Sequence, residues 1–321
     1  MKARISSIAN LLAKRIVFDR NIGIDDTVFV ASVGRSGSTF LANVINHDNS
    51  FRVLFEPFRH DMVDEARDFV YPFYIRPDST NSGYYSSAQK IISGRVRSKW
   101  ANQENRCVFP KARLIKEIRA NFFLKWLQNN FPAMKVVLLL RHPCAVADSW
   151  TSAGFGDGRL GRERLLENQQ FVADTDGTLI NEYVKAETAF ERLIFFWCFS
   201  YHVPFQQLDY NDVHLVFYEN LILDPENELR ELFRFLGSDY PEAEILDSLS
   251  NPSSTTRKGK SDFDRKVLRA DEWRDRCSKE QSARADEIMK LFGMDTLWCP
   301  ISSMPNTEAA KGLFGSRSSA E

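Results

Sequence analysis

The sequence predicts an α/β fold: a single domain with a central, mostly parallel sheet of roughly five strands, flanked by helices. Three observations carry this. Five short runs, apolar and rich in β-branched and aromatic residues, lie at Thr27–Val33, Arg52–Phe55, Arg113–Ile118, Lys135–Leu140 and Val213–Tyr218. Runs of this length between polar turns read as buried strands. Helical patterns separate them, and strands alternating with helices give a parallel sheet covered on both faces. The first run breaks at a glycine-rich turn, Gly34-Arg35-Ser36-Gly37, after which a helical pattern begins at about Thr39.

Taken in order, the chain opens with Ile5, Ile8, Leu11 and Leu12 at helical spacing, among Lys2, Arg4, Lys14 and Arg15. Residues 1–24 are therefore expected to form a helical segment. It either packs on the domain or lies peripherally on an anionic membrane surface. Charge interrupts its apolar stretch, which excludes a secretory signal. The domain is expected over 25–300. Its clearest helix is Glu226–Leu236, with Leu229, Leu232, Phe233 and Leu236 on one face, Asp224 and Pro225 at its start and Gly237 at its end. Gly154–Gly161 holds four glycines and reads as a mobile loop, and Asn251–Lys266 is polar without periodicity. The small, polar residues 301–321 read as a disordered tail.

Composition bounds the function. The chain has 321 residues, 43% hydrophobic and 26% charged, with a formal net charge of -1. Such a chain buries a sizeable core. Its charge does not suit a nucleic-acid partner. The five cysteines, Cys107, Cys144, Cys198, Cys277 and Cys299, show no paired spacing. Neither a disulfide framework nor a zinc site is indicated, and a reducing, cytoplasmic compartment is expected. No run approaches the ~20 apolar residues of a membrane span.

Three segments carry chemistry. After the first strand, Gly34 through Phe40 form a P-loop-like turn into a helix. The first-turn N–H groups point at one place with the positive end of the helix dipole, which suits a phosphate. Ser36, Ser38 and Thr39 add hydroxyls and Arg35 adds a fixed charge; a tight structural turn is the plain alternative. The segment is not a Walker A motif, since Ser38 follows Gly37 where that motif has Lys. The fourth run ends in Leu140-Arg141-His142-Pro143, and Ser149 lies eight residues after Arg141. Ligands gather outside the carboxyl ends of parallel strands, where Arg141 and a helical hydroxyl suit another phosphate. Alone, Arg141 serves equally as a structural ion-pair partner. The third segment, Thr255-Thr256-Arg257-Lys258-Gly259-Lys260, places cations around a glycine, or is a solvated charged loop.

Together these motifs, with Leu215-Val216-Phe217-Tyr218-Glu219-Asn220-Leu221 between the second and third, resemble the sulfotransferases that use 3′-phosphoadenylyl sulfate as co-substrate. The resemblance runs from about Thr27 to Leu297. It implies that Arg35, Ser36, Gly37, Ser38, Thr39 and Phe40 hold the 5′-phosphosulfate, with Phe40 near the adenine. It implies that Arg141 and Ser149 bind the 3′-phosphate, that Tyr218 lies near the nucleotide, and that Arg257, Lys258 and Gly259 close over the 3′-phosphate. Leu54-Phe55-Glu56-Pro57-Phe58 resembles a segment of the carbohydrate branch whose Glu is the base, and Lys116 and Arg119 fit that branch too. The Arg-Lys-Gly segment is more typical of the small-molecule branch. The acceptor thus stays open: a carbohydrate, glycolipid or small-molecule hydroxyl, or an amine.

Sulfuryl transfer needs an in-line nucleophile and stabilised charge on the leaving phosphate. Arg35 and the loop supply the latter. Glu56 follows the strand after the phosphate-loop helix and is expected beside the loop, with a raised pKa suited to a general base; the alternative is an ion-paired Glu. His47 and His60 are the reserve candidates. No metal is required, because side chains carry the positive charge. A P-loop kinase would need the loop lysine and an Asp for magnesium, and a non-catalytic nucleotide-binding module would have no use for Glu56. The segments Asp61–Arg97, rich in Tyr and Phe, and Gly154–Gln170, rich in Arg and Gly, are expected to build the acceptor pocket.

Overall fold

Five strands form one sheet in the computed structural model, which describes residues 14, 16–19, 22–241, 270–299 and 304–315. They are β1 (Thr27–Ser32), β2 (Phe51–Phe55), β3 (Ala112–Glu117), β4 (Lys135–Leu140) and β5 (Val213–Phe217), in the order β2-β3-β1-β4-β5. All neighbours are parallel. Successive side chains of a strand point to opposite faces. Phe29 and Ala31 of β1 enter one core with Val136, Leu138 and Leu140 of β4, while Val28 and Val30 enter the other with Val137 and Leu139. Burial on both faces is why β1 and β4 are apolar almost throughout.

Among the described residues the helices are α1 (Ser38–Ile45), α2 (Ser82–Ile92), α3 (Leu124–Asn130), α4 (Pro143–Ala153), α5 (Arg159–Glu167), α6 (Gln169–Asp174), α7 (Gly177–Lys185), α8 (Ala189–Gln207), α9 (Tyr218–Leu223), α10 (Pro225–Leu236), α11 (Lys279–Leu291) and α12 (Thr307–Lys311). On one face α1 and α10 bury Leu41, Val44, Leu229 and Leu232. On the other, α8 is buried along most of its length. A capping box starts it: the Thr188 hydroxyl accepts from Glu191 N (3.1 Å), and the Glu191 carboxylate accepts from Thr188 N (3.0 Å). The α10 bounds follow the sequence reading, with Pro225 in its first turn and Gly237 closing it at φ 75°.

This order makes a switch point. The chain leaves β1 toward β2 and β3 on one side, and continues through β4 to β5 on the other. The crevice outside the carboxyl ends of β1 and β4 is where such sheets bind ligands. Arg35 and Arg141 both follow those ends.

Two expectations need correction. The glycine segment is a shorter turn than expected: Gly154, Gly156 and Gly158 take φ of 70°, 91° and 78°, but Gly161 lies inside α5. The tail is partly folded: Trp298 bridges Pro305, α12 follows, and Phe314 packs on Phe205 with ring centroids 4.9 Å apart. Aromatic burial holds it there. The N-terminal helix falls mostly outside the described residues, and residues 16–19 are not helical: Phe18 N donates to Val108 O at 2.8 Å and Asp19 pairs with Arg52. Among the described residues, no helix is long and apolar enough to cross a membrane.

Candidate active site

The site starts at the turn after β1. Arg35 and Gly37 take left-handed φ of 71° and 92°, so the chain reverses sharply before α1 begins. Glycine is required at 37, because a Cβ there would sit 2.4 Å from the Tyr218 ring. The turn is fastened from α8: the Tyr201 hydroxyl accepts from Val33 N (3.1 Å) and donates to Leu139 O (2.7 Å). One phenol thereby ties the ends of β1 and β4. From α4, Trp150 Nε1 donates to Gly34 O at 2.8 Å.

The two expected halves of the phosphate site meet here. An Arg141 guanidinium N–H donates to Arg35 O at 3.1 Å, and its Cζ lies 4.4 Å from the Tyr218 ring centroid. Arg35 Nε donates to the Ser149 hydroxyl at 3.0 Å. Arg35, Gly37, Arg141, Ser149 and Tyr218 thus form one constellation. Ser38 and Thr39 open α1 with little exposure, and Phe40 is half-buried against the smaller core. Ser36 departs from expectation. It is fully buried, and its hydroxyl faces Tyr201 at 3.4 Å. Since the Tyr201 proton goes to Leu139 O, Ser36 is the donor of that contact, so its hydroxyl braces the turn. Arg257, Lys258 and Gly259 lie outside the described residues.

A second layer holds Arg141. Its carbonyl accepts from Trp197 Nε1 at 3.1 Å, and the next amide, His142 N, donates to buried Glu219 at 2.9 Å. Burial pushes the Glu219 carboxyl up, opposed by the His142 N–H and Arg141. His142 stacks on Trp273 with centroids 4.2 Å apart, and burial lowers its pKa to about 3. The neutral ring keeps a lone pair on Nδ1, which caps α4 by accepting from Cys144 N at 3.2 Å.

Glu56 sits just past β2, at φ 46° and 7% exposed. It is not next to the phosphate loop, because β3 lies between β2 and β1. At about 4.8 Å per strand, that sets it two strand spacings from the end of β1. Lys116 Nζ contacts Glu56 Oε1 at 2.6 Å and Arg119 contacts Oε2 at 2.7 Å. Burial raises the Glu56 pKa, but these two cations outweigh it and hold the carboxyl below its usual value. The expected raised pKa is therefore reversed, because both oxygens face cations.

The cluster continues toward the loop. The Arg119 guanidinium lies 5.7 Å from the Tyr71 ring centroid, Tyr71 meets Phe196 edge-on (5.9 Å), and Phe196 packs on Trp150 (5.8 Å). These aromatic residues bridge the Glu56 cluster and the turn after β1. Arg164 of α5 donates to Tyr71 O, so the two segments expected to shape the acceptor pocket touch each other. Phe155, 65% exposed, has Arg35 5.8 Å from its ring centroid. His60 shares the neighbourhood of Arg59, Arg119 and Arg164; burial, then these cations, lower its pKa against Asp61. His47 does not belong here. It follows the C-terminus of α1, which runs back toward the amino ends of the strands, and it packs on Phe233.

Sequence reasoning missed Tyr201, Trp150, Tyr71 and Glu219. In the sequence, Tyr201 is one more aromatic in an apolar helix. Only Glu219 carried a signal, as a carboxylate between apolar residues that fold as a strand end and a helix.

Residues 27–242 match the model of the sulfotransferase family. Among solved structures, the sulfotransferase domain from the Synechococcus PCC 7002 olefin synthase is 16% identical, with a TM-score of 0.50 over 83% of this chain and 94% of that one. The sulfotransferase domain from the curacin biosynthetic pathway is 18% identical, with a TM-score of 0.45 over 85% and 98%. A mouse sulfotransferase, SULT7A1, complexed with PAP is 13% identical, with a TM-score of 0.43 over 95% and 93%. No curated protein matches significantly. The first of these structures shares the fold, and the family match spans the sheet, the turn after β1, Arg141, Ser149, Glu56 and Tyr218: the chain belongs to the sulfotransferase family.

Proposed function

We propose that the protein transfers a sulfuryl group from 3′-phosphoadenylyl sulfate to an acceptor hydroxyl or amine by in-line displacement. The observation that carries this is the coupling of the two phosphate elements, with Arg141 bonded to Arg35 O and Arg35 Nε to Ser149. A ligand with phosphates at both ends of one nucleoside makes use of such a pair. The residues fit it: the turn is shaped by a glycine packed against the Tyr218 ring, and its donors are cations, hydroxyls and a helix N-terminus.

In this reading Arg35 and the first-turn amides of α1 stabilise the charge developing on the leaving 5′-phosphate. Arg141 and Ser149 bind the 3′-phosphate, joined by Arg257, Lys258 and Gly259. Phe40 and Tyr218 flank the adenosine. Glu56, kept ionised by Lys116 and Arg119, accepts the acceptor proton. The Tyr71 and Phe155 rings favour an acceptor with a flat apolar face, such as a sugar ring or a phenol.

The test is label transfer. Donor with labelled sulfur is incubated with the protein, chelator and pooled glycans, glycolipids and phenols. The expected product carries the label on a hydroxyl or amine. Transfer of the γ-phosphate of ATP to an acceptor, with no sulfur transfer, would overturn the reading.

A further inference from the structure

Cys144 and Cys277 are far apart in sequence and meet in space. Cys144 lies in the first turn of α4, three residues after Arg141, and is 1% exposed. Cys277 follows the 3₁₀ turn Glu272–Asp275 and is half-buried against the same core. Cys277 packs on the core cluster that holds Cys144, and each thiol shifts the titration of the other. Contacts on either side fix the approach. His142 stacks on Trp273, and Arg276 makes a forked ion pair with Asp148, with N–O distances of 2.8 and 3.0 Å. Cys277 N donates to Trp273 O at 2.8 Å, which closes the turn under its side chain.

The geometry points to a redox modification site: a hydroperoxide oxidises Cys277, and Cys144 resolves it as an intramolecular disulfide. Cys277 has solvent access that Cys144 lacks, so it meets the oxidant first. The neighbouring Cys144 thiol lowers the Cys277 pKa, against burial and the carboxylates of Asp148 and Asp286, while Cys144 is raised. Arg274 is the cation near Cys144.

The steps balance. The Cys277 thiolate attacks one peroxide oxygen. The S–O bond forms, the O–O bond breaks, and the other oxygen leaves as water or alcohol with a proton. Cys277 is now a sulfenic acid, oxidised by the two electrons the peroxide gained. The Cys144 sulfur then attacks the Cys277 sulfur. The S–S bond forms, the S–O bond breaks, and hydroxide leaves with the Cys144 proton as water. The His142–Trp273 stack and the Arg276–Asp148 pair hold the two segments together for the ~2.05 Å bond. The link would fasten Trp273 and its turn to α4, directly behind Arg141.

The experiment uses the full chain. Purified reduced protein is treated with a small excess of hydrogen peroxide, blocked with iodoacetamide and digested without reductant for mass spectrometry. A linked Cys144–Cys277 peptide pair is expected, reversed by dithiothreitol. The Tm should rise by about 5 °C or more, since a long loop is closed. Cys277→Ser should leave Cys144 reduced at the same dose. Cys144→Ser should stop Cys277 at a sulfenic acid that dimedone labels. If Cys144→Ser does not fold, the wild-type link and Cys277→Ser decide. The proposal is overturned if only exposed Cys299 oxidises, if Cys277 runs to sulfinic acid without linking, or if Cys144 oxidises equally in Cys277→Ser.

Discussion

Replacing Arg141 by alanine removes at least two contacts of the protein with itself and, in the proposed function, one with the ligand. The first is the N–H bond to Arg35 O at 3.1 Å, worth about 0.5–1.5 kcal/mol. The second is the guanidinium on the Tyr218 ring at 4.4 Å, worth about 0.5–1 kcal/mol. Both shape the turn for any nucleotide. The third is the charge-assisted contact to the 3′-phosphate, worth about 1.5–3 kcal/mol. Adenosine 5′-phosphosulfate lacks that phosphate and feels only the first two losses. Calorimetry with both ligands separates them. 3′-Phosphoadenosine 5′-phosphate should lose about ten- to a hundredfold more affinity than adenosine 5′-phosphosulfate. Arg141→Lys keeps the charge but not the planar fork, and should fall between. Equal losses for the two ligands would refute the assignment and leave Arg141 as a brace of the Arg35 turn.

Further outcomes follow from the same contacts. Glu56→Gln should lower kcat by about 10²–10⁴ with donor affinity nearly unchanged; retention of most of kcat would make Glu56 structural. Because Lys116 and Arg119 depress the Glu56 pKa, the acid limb of the wild-type pH–rate profile should lie below the ordinary carboxylate range. The stability gained from ionised Glu56 is present above its unfolded pKa, is lost as pH falls through the lower folded value, and should be missing in Glu56→Gln. Tyr201→Phe leaves Val33 N and Leu139 O without their buried partner, costing about 1–3 kcal/mol; denaturant unfolding with an unchanged midpoint would contradict the bracing role. In the proposed function Arg35, Arg141, Arg257 and Lys258 supply the charge, so chelator should leave turnover intact; loss restored by magnesium would favour phosphoryl transfer.

The strands were legible because β1 and β4, buried on both faces, read as nearly continuous apolar runs, and β2, β3 and β5 keep apolar stretches around a few polar residues. The β1 turn was legible because glycine marks the left-handed φ at 37. What the sequence did not disclose is lateral order. Glu56 was expected beside the phosphate loop because β2 follows α1, yet β3 inserts between β1 and β2 and brings Lys116 and Arg119 onto the carboxylate. The sign of its pKa shift turned on that insertion. Ser36 looked like a ligand hydroxyl because Tyr201, its partner, lies 165 residues away in the chain. The two thiols at 144 and 277 had no spacing to connect them for the same reason.

The central claim is that Arg35, Arg141 and the first turn of α1 form a site for a nucleoside carrying phosphates at its 3′ and 5′ positions. Isothermal titration of the purified chain with 3′-phosphoadenosine 5′-phosphate, in chelator, tests it most directly. Saturable one-to-one binding is predicted, unaffected by magnesium and competed poorly by ATP. No binding of the bisphosphate, with saturable binding of ATP only when magnesium is present, would contradict it.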